Sequence, residues 1–287
     1  MLYLSRFTFP DADAEFDFRL AEKRTCFDSV YPFHVLSGRG LEALEFEPIT
    51  VLCGGNGSGK TTALNVIAEK LGLARDALYN RSNFFEDYLR RCRYELRAPV
   101  PAGSRILTSD DVFDFMLDVR ALNAGIDRAR EELFEDYQDR KRADFRLRSL
   151  DDYEELKRVN QARRLTQSRY VRANLQDNVR ERSNGESAFA YFTDRIEENG
   201  LYLLDEPENS LSPAHQRELA QFLEDSVRFF GCQFVIATHS PMLLALREAR
   251  VYDLDADPVR VRRWTELPAV RAWYEFFAER RGEFGNS

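Results

Sequence analysis

This sequence offers little to transition-metal sites, disulfides or membranes. Its 287 residues include only four cysteines and three histidines. Cys26, Cys53, Cys92 and Cys232 form no CxxC pair and no zinc spacing, so buried or idle thiols in a reducing compartment are expected. No apolar run approaches the ~20 residues of a membrane span. The opening "MLYLSRFTFPDADAEF" lacks a basic region followed by a long apolar one. A cytoplasmic location with no membrane partner is the expectation. A basic excess is also missing: the net charge is −8. That argues against non-specific coating of nucleic acid, yet leaves room for a local basic patch. Internal repeats and low-complexity linkers are absent too.

What is there has an α/β texture at both ends and a different middle. In residues 1–47, Leu2, Leu4, Phe16, Phe18 and Leu20 alternate with polar neighbours, and "LEALEFE" (41–47) does so more loosely; short strands are predicted. An apolar strand at 49–53 runs into a glycine-rich loop and a helix over 60–71. The segment 112–119 begins another helix. Residues 120–182 contain no proline and only Gly125 as a breaker, so they read as long exposed helices. A hairpin of two helices of ~25 residues, roughly 40 Å long, would accommodate them. Their charge is uneven: 127–155 hold eleven acids against seven bases, and 156–182 hold eight bases against two acids. After that come a helix at 187–198, the strand "LYLLD", a helix at 213–229 and the strand "QFVIAT". A hairpin through "DADP" and a C-terminal helix finish the chain. That helix carries Val270, Trp273, Phe276 and Phe277 on one side, a stripe read as core packing.

Three stretches carry chemistry. Gly54-Gly55-Asn56-Gly57-Ser58-Gly59-Lys60-Thr61 fits GxxxxGK[ST], with a strand before it and a helix after it. Glycines let backbone N–H groups approach phosphate without a Cβ in the way. Lys60 would neutralise β/γ oxygens, Thr61 would offer its hydroxyl to Mg²⁺, and Thr62 would sit near the α-phosphate at the helix N-terminus. In "LYLLDEPE" an apolar strand ends in Asp205, a candidate Mg²⁺ holder, and Glu206, a candidate general base for an attacking water. "FVIATHSP" ends a second buried strand in His239, beside the first, where it would sense or stabilise developing charge. His34 and His215 read as structural.

A fourth stretch, "RSNGES", precedes the Asp205 strand. Ser183-x-x-Glu186 is a capping box that starts a helix well. With Asn184 and Gly185 it also matches, with Asn for the first Gly, the S-G-G-Q/E signature of ABC-type ATPases; the two readings are compatible. "NSLSP" (209–213) stands at the place of that family's D-loop without its usual aspartate. As a set, these motifs resemble the ABC-type ATPases. "DEPENSLSP" and "ATHSP" are similar to the SMC/RecF-like and overcoming-lysogenization-defect branch, often labelled predicted AAA-family ATPases. The resemblance covers most of residues 1–260 outside 120–182. It implies a P-loop NTPase fold, an ABC-type ATPase head with a mainly parallel central sheet, N-terminal antiparallel strands and a helical subdomain. The ATP-binding lobe would comprise 1–119 and 183–287, with 120–182 as a charged helical insertion. Two departures stand out. No glutamine follows "SRILT" (104–108), where a Q-loop is expected, and an adenine-stacking aromatic is open between Tyr31 and Phe33.

The resemblance further implies ATP and Mg²⁺ as ligands and Glu206, His239 and Lys60 as catalytic residues. Ser183, Gly185 and Glu186 would close on the ATP of a second copy. Three classes compete: an ATP-driven dimeric clamp or switch in DNA maintenance or phage defence, the ATP-binding subunit of a membrane transporter, and a non-hydrolysing sensor. The basic stretch 156–182 offers a DNA or RNA contact through Lys157, Arg158, Arg163, Arg164, Arg169 and Arg172; pairing with the acidic stretch before it is the structural alternative. The chain ends about fifty residues after His239, so the C-terminal nuclease domain of the overcoming-lysogenization-defect proteins is not expected. Any cutting activity would belong to a separate effector protein.

Overall fold

The computed structural model describes residues 1–24, 26–144, 152–176, 178 and 184–285. Near the N-terminus, β1 (Leu4–Thr8), β2 (Ala43–Glu45) and β4 (Arg93–Leu96) form an antiparallel sheet in the order β2-β1-β4. The central sheet is built from β3 (Ile49–Cys53), β5 (Arg105–Thr108), β6 (Leu201–Asp205), β7 (Gln233–Ala237), β8 (Arg250–Asp253) and β9 (Arg260–Arg262). Its order is β5-β6-β7-β3-β8-β9, parallel throughout except for the β8–β9 hairpin. Every residue of β3, β6 and β7 is buried. This explains their continuous apolar runs, since a parallel sheet is covered on both faces. Gln233 ties the two sheets together: its Oε1 accepts from the Tyr3 and Leu4 amides at 2.8 and 2.9 Å, and its Nε2 donates to the Leu4 carbonyl at 2.8 Å.

The helices are α1 (Ala12–Ala21), α2 (Lys60–Leu71), α3 (Phe85–Arg91), α4 (Ser109–Arg142), α5 (Tyr153–Arg164), α6 (Gln167–Asn174), α7 (Asn184–Arg195), α8 (Pro213–Phe229), α9 (Pro241–Leu244) and α10 (Pro268–Glu279). Cα packing divides the chain into Met1–Val112 with Asn184–Ser287 and a second unit, Phe113–Ser183. In the first, α2 packs on β6 and β7, and its Ala63, Leu64, Val66 and Ile67 are without solvent exposure. In the second, Tyr137, Ala162 and Tyr170 make a small core with Leu133 and Leu165. Arg140 pairs with Glu155, and Tyr170 donates to Asp136.

Three expectations need correction. Residues 12–21 are a helix, not a strand. Asp11 caps it by accepting from the Ala14 amide at 2.8 Å, and its buried face is Glu15 and Phe18, while Phe16 and Leu20 are exposed. The period-2 alternation there mixes one buried ring, Phe18, with two side chains that face solvent, Phe16 and Leu20. The charged segment is not a pair of long helices: α4, which enters it from Ser109 and ends at Arg142, supplies the first, but 12- and 8-residue helices stand in place of the second. On α10 only Val270 is buried; Trp273, Phe276 and Phe277 remain about half exposed and pack on one another.

Candidate nucleotide site

The parallel register brings the three chemical stretches to one edge of the sheet. β7 lies between β6 and β3, with Ala237 opposite both Asp205 and Leu52. The P-loop after β3, the acids after β6 and His239 after β7 therefore leave from adjacent strand ends, the place where open α/β sheets bind ligands.

Glycine is required by geometry in the loop. At Gly54 a Cβ would stand 2.5 Å from Ser58 Oγ, and at Gly59 it would stand 2.9 Å from Leu36 Cδ2 with φ at +95°. Gly59 is the N-cap of α2 and supplies no side-chain cap. The first amides of α2 thus keep their N–H groups for an anion, where the helix dipole also favours negative charge. Lys60, 5% exposed, donates to the carbonyls of Gly54 and Gly55 at 2.7 and 3.1 Å. Asp255, two residues past β8, accepts from the Gly55 amide at 2.8 Å.

Across the loop, Asp205 is buried beside the Thr61 side chain, and its Oδ1 has no partner. Burial pushes its carboxyl up to about 6, reinforced by Glu206 and Glu208 and opposed by Thr61 and Lys60. Among the described residues, no group of three or more His, Cys, Asp or Glu could hold a metal unaided. Mg²⁺ has no need of one, because it binds through one or two protein oxygens, waters and substrate phosphates. The orphaned Asp205 oxygen beside the Thr61 hydroxyl fits that pattern.

Glu206 adopts φ 48° and ψ 51°. Its Oε1 lies 3.6 Å from Lys60 Nζ and 4.0 Å from His239 Nδ1. Its Oε2 accepts from Asn209 Nδ2 at 3.0 Å. The structure thus places Lys60, Thr61, Asp205, Glu206 and His239 together. Asn56, Gly57 and Ser58 lie in the loop, and Thr62 follows in α2, within 3.2 Å of the Tyr31 hydroxyl. Phe33, the other adenine candidate, is a core ring stacked on Phe18 at 4.3 Å.

Gly185 and Glu186 open α7. A Cβ at Gly185 would stand 3.0 Å from His215 Nδ1 and 3.6 Å from the Ser210 carbonyl, so α7 starts against the segment that follows Glu206. Ser183 lies outside the described residues. Glu208, Asn209 and Asp255 were missed by the sequence reading. The first two stand in "DEPEN" directly after the expected acids, a visible signal; Asp255 is 200 residues from its partner and leaves none.

A mostly parallel sheet with a glycine-rich loop between β3 and α2 is the fold of a P-loop NTPase. Residues 178–245 match the family described as AAA domain, putative AbiEii toxin, Type IV TA system. No curated protein matches the chain. Among solved structures, the chain is similar to the SMC head domain from Thermotoga maritima: 14% identity, 91% of this chain and 99% of that one, TM-score 0.41. It is also similar to the Smc head domain with an extended coiled coil from Pyrococcus furiosus, bound to the C-terminal domain of ScpA: 14% identity, 83% and 95% coverage, TM-score 0.40. A third is the ATP-binding cassette MJ0796 in a dimeric post-hydrolysis state with ADP and Pi: 17% identity, 78% and 90% coverage, TM-score 0.36.

Proposed function

We propose that the chain hydrolyses ATP at this site, with Glu206 as general base. One observation carries the reading: a single carboxylate, Glu206, stands between the P-loop lysine and a histidine, 3.6 Å from Lys60 and 4.0 Å from His239, next to a buried acid with a free oxygen. The amides of Gly57 to Thr62 cradle the phosphates. Lys60 exchanges the Gly54 and Gly55 carbonyls for phosphate oxygens. Mg²⁺, held by Thr61 and Asp205, would supply charge neutralisation at those oxygens. Glu206 takes a proton from the attacking water, and His239 donates toward the charge that develops on the transferred phosphoryl group.

Phosphate release tests the reading. The wild-type chain should turn over ATP, Lys60→Ala should lose ATP binding, and Glu206→Gln should bind ATP while its kcat falls by roughly 100-fold or more, the usual contribution of a general base. Wild-type turnover by Glu206→Gln would overturn it.

The same reading extends to a two-copy clamp in which Ser183, Gly185 and Glu186 of one copy close on the ATP of the other. It is supported by the position of Gly185 in the first turn of α7, where the approach of His215 Nδ1 and the Ser210 carbonyl leaves room for a glycine and little more. ATP binding would then drive dimerisation and hydrolysis would release it, a two-state equilibrium biased by contacts made only when closed. Ser183→Arg should abolish turnover; unchanged turnover would leave the motif as a helix cap alone. The clamp would act in DNA maintenance or phage defence, on nucleic acid or on an effector protein. Arg158, Arg164, Arg169 and Arg172, all exposed on α5 and α6, supply phosphate contacts for the former.

A further inference from the structure

The segment after β6 places two side chains on the proposed hydrolytic pair. We propose that Asn209 and Glu208 are positioning residues for hydrolysis, Asn209 aiming the Glu206 carboxylate and Glu208 fixing His239 opposite it. The proposal rests on the reading of Glu206 as the base.

Glu206 holds a left-handed backbone conformation that a non-glycine residue keeps only when its surroundings over-determine it. Two backbone bonds do so: the Glu206 amide donates to the Ala237 carbonyl at 2.9 Å, and the Asn209 amide donates to the Glu206 carbonyl at 3.1 Å. The side chain is then aimed by its own contacts. Oε1 faces Lys60 and His239, at 3.6 and 4.0 Å, both beyond hydrogen-bonding distance. Oε2 takes the directional bond from Asn209 Nδ2. Once Lys60 turns to phosphate, the Asn209 amide remains to hold the carboxylate at one oxygen and leave the other for water. Asn209 is exposed, so its side chain is not there to fill the core. Ser109, the first residue of α4, reaches it at 3.5 Å.

Glu208 acts on the neighbouring strand exit. It is 5% exposed, and its Oε1 accepts from Thr238 Oγ1 at 2.6 Å, the His239 amide at 2.8 Å and the Ser240 amide at 3.2 Å. His239 Nδ1 lies 3.3 Å from the same oxygen. One buried carboxylate therefore gathers the backbone on both sides of His239 and faces its ring. A charge-assisted acceptor of this kind is stronger than a neutral one and fixes geometry more tightly. Two adjacent residues of one turn thus orient the base and the histidine relative to each other.

Steady-state ATP hydrolysis with melting temperatures tests this. Asn209→Ala should lower kcat at least 10-fold, leave the KM for ATP within two-fold and leave the melting temperature unchanged. In a Glu206→Gln background the same change should have no further effect, because the carboxylate it aims is gone. The isosteric Glu208→Gln should lower kcat, with His239→Ala adding little on top. A loss of KM and kcat together, or additive losses in the double variants, would mean a general packing role and overturn the proposal. Near wild-type kcat for Asn209→Ala alongside an inactive Glu206→Gln would overturn it while leaving Glu206 as base. An active Glu206→Gln would overturn both. Should Glu208→Gln melt early, the surface variant Asn209→Ala decides alone.

Discussion

Asp205 bears the heaviest electrostatic burden in the site. Its ordinary value is 3.8, and burial lifts it to about 6. Between those values the folded chain holds a proton that the unfolded chain has released. Asp205 therefore adds stability below about pH 4 that is lost as pH rises through about 6, on the order of 3 kcal/mol in all. Asp205→Asn should melt higher than wild type at pH 7, with the gap closing toward pH 4, as thermal denaturation across that range would show. A metal ligand must be ionised, so Mg²⁺-dependent ATP affinity should weaken in the wild type below about pH 6. Gly54 makes a second residue-scale case. A Cβ there would sit 2.5 Å from the oxygen of Ser58, itself 1% exposed. Gly54→Ala should cost roughly 1–3 kcal/mol by overpacking and abolish ATP binding, measured by denaturant unfolding and by equilibrium binding. At this scale the placement of the loop and the two acids at adjacent strand ends was legible, because motif spacing fixes which strand each one leaves. Glu208 was not, because its role depends on which strand lies beside β6, a fact of sheet order that local sequence does not carry.

Elements were legible where burial and periodicity agree. β3, β6 and β7 are apolar runs buried on both faces, and α2 and α8 match the helices predicted at 60–71 and 213–229. Where they disagree, the pattern misleads. In α1 the alternating Phe16 and Leu20 face solvent while Glu15 is buried, accepting from the His34 amide and the Ser37 hydroxyl through tertiary contacts no pattern encodes. On α10 the aromatic stripe is real, yet most of it stays uncovered. α8 offers a clean test of local coding. Ser212 accepts from the His215 amide at 3.3 Å and is followed by Pro213 at the first helical position. Ser212→Ala should lower stability by about 1 kcal/mol, the usual value of such a cap, read as a shift in the urea midpoint at unchanged slope.

For the molecule as a whole, the fold class was legible from a few dozen residues, because a P-loop fold gathers its motifs at adjacent strand ends. The charged segment was harder, since its charges look alike whether paired or free. In the folded unit Lys157 pairs with Glu154 and Arg163 donates to the Ala143 carbonyl, while Arg158, Arg164, Arg169 and Arg172 lie exposed. No helix among the described residues is long and apolar enough to cross a membrane. If those four arginines contact DNA phosphates, log affinity should fall against log salt with a slope of roughly −3 to −4; a flat dependence in a binding titration would remove nucleic acid as their partner. In the proposed reaction Glu206 activates the water that attacks an ATP held by Lys60, Thr61 and Asp205. The most direct measurement is the nucleotide recovered from Glu206→Gln protein after incubation with Mg-ATP and gel filtration. Intact ATP, bound in stoichiometric amount, is the predicted result. Recovery of ADP at the wild-type rate would show that some other group activates the water, and would contradict the account.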